Sequence, residues 1–324
     1  MITIYKEESK RLVNEEHASF PDGPLPKGSW IDVVEPNADI IEKLSRATSI
    51  PLEMLLTALD EEESARVDGY EGSSLIVLDA PYIENPEKGL YSTSPFIIAY
   101  NRDYFVTLSR HKNELKNELF KKAKKVEPRK HVRLALSFVY RLATLFISYL
   151  KKIDQNTKTV EKKLHSSMKN RELFELMDIN KVLVYFSTAL NADKGVLSKL
   201  LRLGAYKKFE TDSDLMEDAA VELDQAIEMC AIYRDILAGM MDAFASIISN
   251  NLNIVMKTFA IITIVISIPT LIASFFGMNF SEIPLYDHQY GFWIVIGASI
   301  ALALIGTVIL IYAGQNRRIK PRNK

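Results

Sequence analysis

The chain has 324 residues, 25% of them charged and 48% hydrophobic, with a formal net charge of -1. That length suits one large domain or two ordinary ones, and the even balance of charge excludes a general affinity for nucleic acid or anionic surfaces. The single cysteine, Cys230, excludes an intrachain disulfide and fits a cytosolic location for most of the chain.

The opening MITIYKEESKRLVNEE is charged and lacks the apolar core of a signal peptide. Through residue 109, β-rich apolar runs alternate with turn residues. ITIY, SWIDVV (29–34), SSLIVLDAPYI (73–83), PFIIAY and YFVTLS predict strands, the last two separated by Asn101-Arg102-Asp103. ADIIEKLSRATSIPLEMLLTALDEEES carries helical periodicity, with Pro51 near a helix start. Strands interleaved with helices predict a cytoplasmic α/β domain over 1–130. Asp60-Glu61-Glu62-Glu63 reads as a solvated helix end, and the basic stretch 112–130 as a solvated helix face with a break near Pro128.

Between His131 and Pro269 there is no proline, which predicts long helices with turns around Ser167–Arg171 and near Gly204. LALSFVYRLATLFISYL (134–150) is too short for a membrane span and carries Arg141 near its middle. A charge there costs roughly 2.5 kcal/mol or more, so a helix packed on two faces is expected. Residues 131–257 therefore form a cytoplasmic helical region ending in a stalk that starts near Ser213. A helix from there to Gly277 would be roughly 95 Å long at 1.5 Å per residue. Its apolar positions, Leu223, Ile227, Ile232, Ile236, Met240 and Phe244, suggest helix packing or self-association. Asp218 and Glu222 share a face able to attract a hard cation if another subunit adds oxygens.

From 258 the composition changes. Residues 258–276 have no charge across 19 positions, and 291–314 none across 24. About 20 apolar residues cross the hydrocarbon core, so two transmembrane helices are predicted, the first reaching 280 and joined to the second by a short loop, 281–290. The tail, 315–324, is basic, whereas the loop has no lysine or arginine but carries Glu282 and Asp287. Positive residues stay inside, which puts both termini in the cytoplasm and the loop outside a cell membrane whose lipids are the surrounding solvent.

Inside the first span, Thr263, Ser267, Thr270 and Ser274 recur on one helical face, extended backwards by Ala260, Met256 and Asn253. Small residues on such a face also pack helices together, and a hydroxyl can bond its own preceding carbonyl. Alternatively, several copies around an axis would make the face a mildly polar tube. Pro269 either frees a carbonyl for water or a hydrated ion or only kinks the helix. At the outer end, Gly277 lets backbones approach, Met278 packs the turn, and Asn279 offers an amide oxygen to water around a cation. Glu282 and Asp287 would concentrate cations there; the plain reading of both is surface charge.

Gly277-Met278-Asn279 directly after the first of two C-terminal spans, followed by a short loop, resembles the CorA family of magnesium transport proteins. YRDILAGMMDAFASIISNNLNIVMK (233–257) is similar to that family's stalk and pore entrance. The resemblance implies a funnel-shaped homopentamer: an α/β cytoplasmic domain, long stalk helices and two C-terminal transmembrane helices. It makes Gly277, Met278 and Asn279 the selectivity filter, with Asn279 meeting the metal. It places Asn253 at the cytoplasmic end of the pore, Met256 and Phe259 at a hydrophobic constriction, and Thr263, Ser267 and Thr270 along the lumen. Where some relatives carry methionine, Ser267 would widen the middle, and Phe259 would tighten the lower gate. The implied cargo is Mg2+, with Co2+ or Ni2+ as further candidates. No enzyme activity or cofactor is implied, and regulatory Mg2+ has its candidate ligand in Asp218. Two alternatives stand beside this one: a zinc or nickel transporter, proton-coupled and motivated by His288, and a non-conducting membrane-anchored sensory or interaction protein.

Overall fold

The computed structural model describes residues 1–8, 11–21, 23–70, 72–87, 89–122, 126–167, 170–203, 210–278, 285 and 289–316. The chain falls into two compact units, 1–241 and 242–324.

The first unit is built on a seven-stranded sheet: β1 (Ile2–Glu8), β2 (Arg11–His17), β3 (Trp30–Val34), β4 (Arg66–Tyr70), β5 (Ser73–Asn85), β6 (Leu90–Tyr100) and β7 (Phe105–Ser109). Their order is β2-β1-β3-β7-β6-β5-β4. All neighbours are antiparallel except β3 and β7, which run parallel with Trp30 opposite Phe105. Every strand read from the apolar runs is present, and two polar ones, β2 and β4, are additional.

Alternation along the strands divides the core in two. Ile31, Val33, Val106 and Leu108 face a layer made by α1 (Ala38–Thr48) and α2 (Leu52–Leu56), through Ile41, Leu44 and Leu55. The start of α1 is fixed by Asn37, whose Oδ1 accepts the Ile40 amide at 2.9 Å, and α2 follows Pro51. Trp30, Phe96 and Phe105 face the other way and meet Phe138, with ring centroids 5.4, 5.4 and 6.2 Å away. Phe138 belongs to α4 (His131–Ser167), which packs with α3 (Leu115–Lys122) and α5 (Asn170–Leu203) on that side. The apolar window of α4 is 67% buried by the protein itself, so this helix is core rather than a span. Arg141 lies over the Tyr140 ring at 4.7 Å.

Helix α4 ends at Ser167 and α5 at Leu203; the turn expected near Gly204, and part of the one expected around Ser167–Arg171, lie outside the described residues. Helix α6 then runs Glu210–Phe276, starting slightly earlier than Ser213. Within the first unit its buried positions are Met216, Ala219, Leu223, Ala226, Cys230 and Leu237. Cys230 Sγ donates to Leu183 O of α5 at 3.3 Å, and Lys194 of α5 pairs with Asp224 at 2.7 Å. Ile232 and Ile236, expected in the same stripe as Leu223, are instead 48% and 52% exposed on the far side of the helix. Of the acidic run, Asp60, Glu61 and Glu62 are exposed as a solvated helix end should be, Glu61 pairing with Arg110 at 2.7 Å, while Glu63 is half-buried against Arg66.

The second unit holds the end of α6 and α7 (Gly291–Asn316), both apolar enough to cross a membrane. Ser299 and Ala303 are buried, and Gly306 lies where an added Cβ would sit 3.4 Å from Ile268 Cδ1 of α6. Small residues thus let the two helices approach, the usual arrangement where lipid supplies no hydrophobic drive.

Candidate functional site

Each face of α6 within the second unit has a different character. The residues shielded by the helix pair are Ile261, Val265, Ile268, Pro269 and Ile272, all on the side that meets Gly306. At 100° per residue, Thr263, Ser267, Thr270 and Ser274 fall roughly opposite this set. All four are exposed, as are Asn253, Met256, Phe259 and Ala260 below them. Helix α7 therefore covers one side of α6 and leaves the hydroxyl-bearing side without a partner among the described residues. Pro269 is on the covered side. Any carbonyl it frees is away from the hydroxyl stripe, which favours the kink over the ion-facing carbonyl.

The hydroxyls are oriented. Thr263 Oγ1 donates to Phe259 O at 2.9 Å, Ser267 Oγ to Thr263 O at 2.7 Å, and Thr270 Oγ1 to Ile266 O at 2.8 Å. Each proton is committed to the backbone, so the oxygen turns its lone pairs outward. A row of outward acceptors matches the surface of a hydrated cation, whose waters present hydrogens. It does not match an anion, which would need donors. The carbonyl bonding raised as the structural account of these residues is thus present, and it orients the oxygens rather than hiding them.

Below the hydroxyls, Met256 and Phe259 are 60% and 62% exposed. Together with Asn253 they make an exposed band that is apolar except for one amide. At its C-terminal end α6 stops at Phe276, and the Gly277 amide bonds Ala273 O at 2.9 Å and Ser274 O at 3.2 Å. A Cβ on Gly277 would come within 3.3 Å of Ala273 O, so a bare backbone suits this tight stop. Met278 follows, its amide bonding Phe275 O at 3.3 Å. Asn279, Glu282, Asp287 and His288 lie outside the described residues.

Asp218 is exposed on α6 and Glu222 is half-buried. Among the described residues no group of three or more carboxylate, histidine or cysteine side chains could hold a metal ion within one chain. A cation at Asp218 and Glu222 needs oxygens from elsewhere. The exposed apolar side chains Ile232 and Ile236 on the same helix were misplaced by sequence periodicity alone; their exposure is what marks a second contact face.

The family described as CorA-like Mg2+ transporter protein matches residues 27–315. The chain is 28% identical over 319 residues to the cobalt/magnesium transport protein CorA of Methanocaldococcus jannaschii, covering 97% of this chain and 98% of that one. It is 21% identical to the magnesium transport protein CorA of Helicobacter pylori, over 96% and 98% of the two chains. The complete structure of the CorA magnesium transporter from M. jannaschii superposes with a TM-score of 0.77 at 26% identity, covering 97% of this chain and 96% of that one. Two apolar helices, an oriented acceptor stripe opposite the helix contact, Gly277-Met278 at the C-terminal end of that stripe and a match across nearly the whole length converge: the chain belongs to the family of CorA-like Mg2+ transporter proteins.

Proposed function

We propose that this protein is a subunit of a passive magnesium channel, in which five copies set the Asn253–Gly277 face of α6 around a common axis. The observation that carries the reading is the placement of Thr263, Ser267 and Thr270 opposite the side covered by α7, with their oxygens free to accept. Magnesium gives up its waters reluctantly, so a lining that bonds those waters avoids most of the dehydration cost. Asn279, in a ring at the outer mouth, would screen the hydrated ion, and Glu282 and Asp287 would draw cations towards it. Cobalt belongs to the proposed cargo because the relative from M. jannaschii is named for both metals.

Both termini are proposed to be cytoplasmic, with α6 and α7 as the two spans. A divalent ion then gains about 4.6 kcal/mol per 100 mV of inside-negative potential, twice the single-charge value, and inward flow needs no nucleotide. Rings of Met256 and Phe259 would close the path by dewetting. Asp218, with Glu222 one turn away, is the proposed cytoplasmic magnesium sensor, its remaining oxygens supplied by a neighbouring copy.

Flux into liposomes containing the full chain and a magnesium-sensitive dye tests the lining. The triple variant Thr263→Val, Ser267→Ala, Thr270→Val keeps the helix apolar and similar in volume but removes three rings of acceptors. It should lower magnesium flux at least tenfold, whereas Ile272→Val on the covered side should leave it near wild type. Equal flux in the triple variant and the wild type would overturn the assignment. Asn279→Ala should abolish selective uptake while preserving the assembled mass.

A further inference from the structure

The chain as a whole is almost neutral, yet one cavity in the first unit is strongly cationic. It holds about 570 Å³ between the β6–β7 turn and the first turn of α4, and its lining includes Arg102, Arg129, Lys130, Arg133, His131 and Asp212. Two of the cations are answered locally: Lys130 by Glu127 at 2.7 Å and Arg133 by Asp212 at 3.3 Å. Arg102 and Arg129 have no carboxylate within 4.0 Å among the described residues.

Both arginines stand on shaped backbone. The turn that carries Arg102 is locked by Asn101, whose Oδ1 accepts the Asp103 amide at 3.0 Å and the Tyr104 amide at 2.9 Å. Arg129 lies against Gly28, where φ is +78° and a Cβ would come 2.8 Å from the guanidinium Nε. Only glycine leaves that space open. The positive end of α4, a 37-residue helix, points to the same place, which favours anions. His131 Nε2 is buried without a hydrogen-bond partner, and burial lowers the pKa of the ring, so at neutral pH it adds a polar atom rather than another charge.

We propose that this cavity binds the phosphate chain of a polyphosphate anion, either inorganic or carried by a nucleotide. Two unanswered guanidiniums can each take phosphate oxygens in a bidentate fashion. Glu127 and Asp212 balance Lys130 and Arg133, which leaves the two arginines as the net positive charge, and the volume lies in the range of small-molecule sites, with room for more than one phosphate group. Magnesium cancels two of the five negative charges of fully ionised inorganic triphosphate, and two of the four on a nucleoside triphosphate, so the metal-free anion is the favoured form. The proposal is independent of the transport reading, because its readout is binding and not flux.

Equilibrium dialysis of the full chain in detergent and excess chelator, with radiolabelled inorganic triphosphate, measures the site directly. One saturable site per chain is expected. The double variant Arg102→Gln, Arg129→Gln should weaken it at least tenfold, while Arg46→Gln, on the opposite layer of the sheet, should not. If the double variant fails to fold, Arg102→Gln alone, on an exposed turn, should still lose several-fold. ATP should compete with triphosphate, and orthophosphate or sulfate only at much higher concentration. Undiminished binding in the arginine variants would overturn the proposal. So would orthophosphate competing as well as triphosphate, or triphosphate binding equally well when saturated with magnesium.

Discussion

Asp193 sits on α5 with 0% of its surface exposed, and its Oδ1 accepts the backbone amide of Asp79 at 2.9 Å. The local reason is a strand that outlasts its neighbour. β4 pairs with β5 only as far as Arg66 opposite Val77, so beyond that point the edge of β5 has lost its strand partner. The Asp79 N–H on that edge has no strand carbonyl to meet, and Asp193 supplies the acceptor. This solution is costly, because Asp193 Oδ2 has no partner. Burial, and secondly the nearby Asp79 charge, hold the Asp193 pKa well above the ordinary carboxylate value; burial alone raises Asp79 to about 6. A raised folded-state pKa means the folded protein holds more protons than the unfolded chain between the two values. Stability is therefore greatest below about pH 4 for this pair and falls as pH rises through 6. Asp193→Asn keeps the acceptor and removes the charge. It should raise the melting temperature at pH 8, with the gain shrinking towards pH 4. A variant no more stable than wild type at pH 8 would show that the pair carries no such penalty.

Among the secondary elements, the strands that the sequence hid are both edges. β2 reads RLVNEEH and β4 reads RVDGY; each has a neighbour on one side only, so neither needs the apolar alternation that reveals β3 or β5. The hydroxyl stripe of α6 was legible because four residues repeat at helical spacing. The side covered by α7 was not, since α7 is apolar all round and nothing in its text selects a face. The cationic cavity was hidden for a different reason: Arg102 and Arg129 meet only after β7 and α3 have folded between them. The contact of α6 with α7 can be tested through its small residues. Gly306→Ala puts a Cβ at ordinary distance from the flexible end of Ile268 and should be neutral within about 0.5 kcal/mol. Ala303→Leu forces a larger side chain into a buried position and should cost about 1–3 kcal/mol, seen as a lower melting temperature in detergent. If Ala303→Leu were neutral, the buried placement of residue 303 would be wrong.

At the scale of the whole molecule, the cytoplasmic part of α6 carries more apolar surface than one chain uses. Leu223, Ala226 and Cys230 are buried against the rest of their own unit. Val221, Ile232 and Ile236 lie roughly 150° round the helix and are 62%, 48% and 52% exposed. Sequence periodicity put Leu223 in one stripe with Ile232 and Ile236; only burial separates them. A row of large aliphatic side chains on a charged, water-facing helix marks a contact surface, and a second copy of the same helix is the partner that the proposed pentamer supplies. Burying the exposed half of each isoleucine there would contribute about 1 kcal/mol, repeated at every interface of a closed ring. Ile232→Glu with Ile236→Glu should therefore abolish or greatly reduce the assembled mass measured in mild detergent. The fold of each chain should survive, because neither residue packs inside its own unit; Cys230 reports this by remaining protected from thiol reagents. Loss of mass with Cys230 still protected assigns the face to self-association. A double variant that keeps the wild-type mass would instead leave this surface outside the assembly, and the copies would have to be held together by the membrane helices alone.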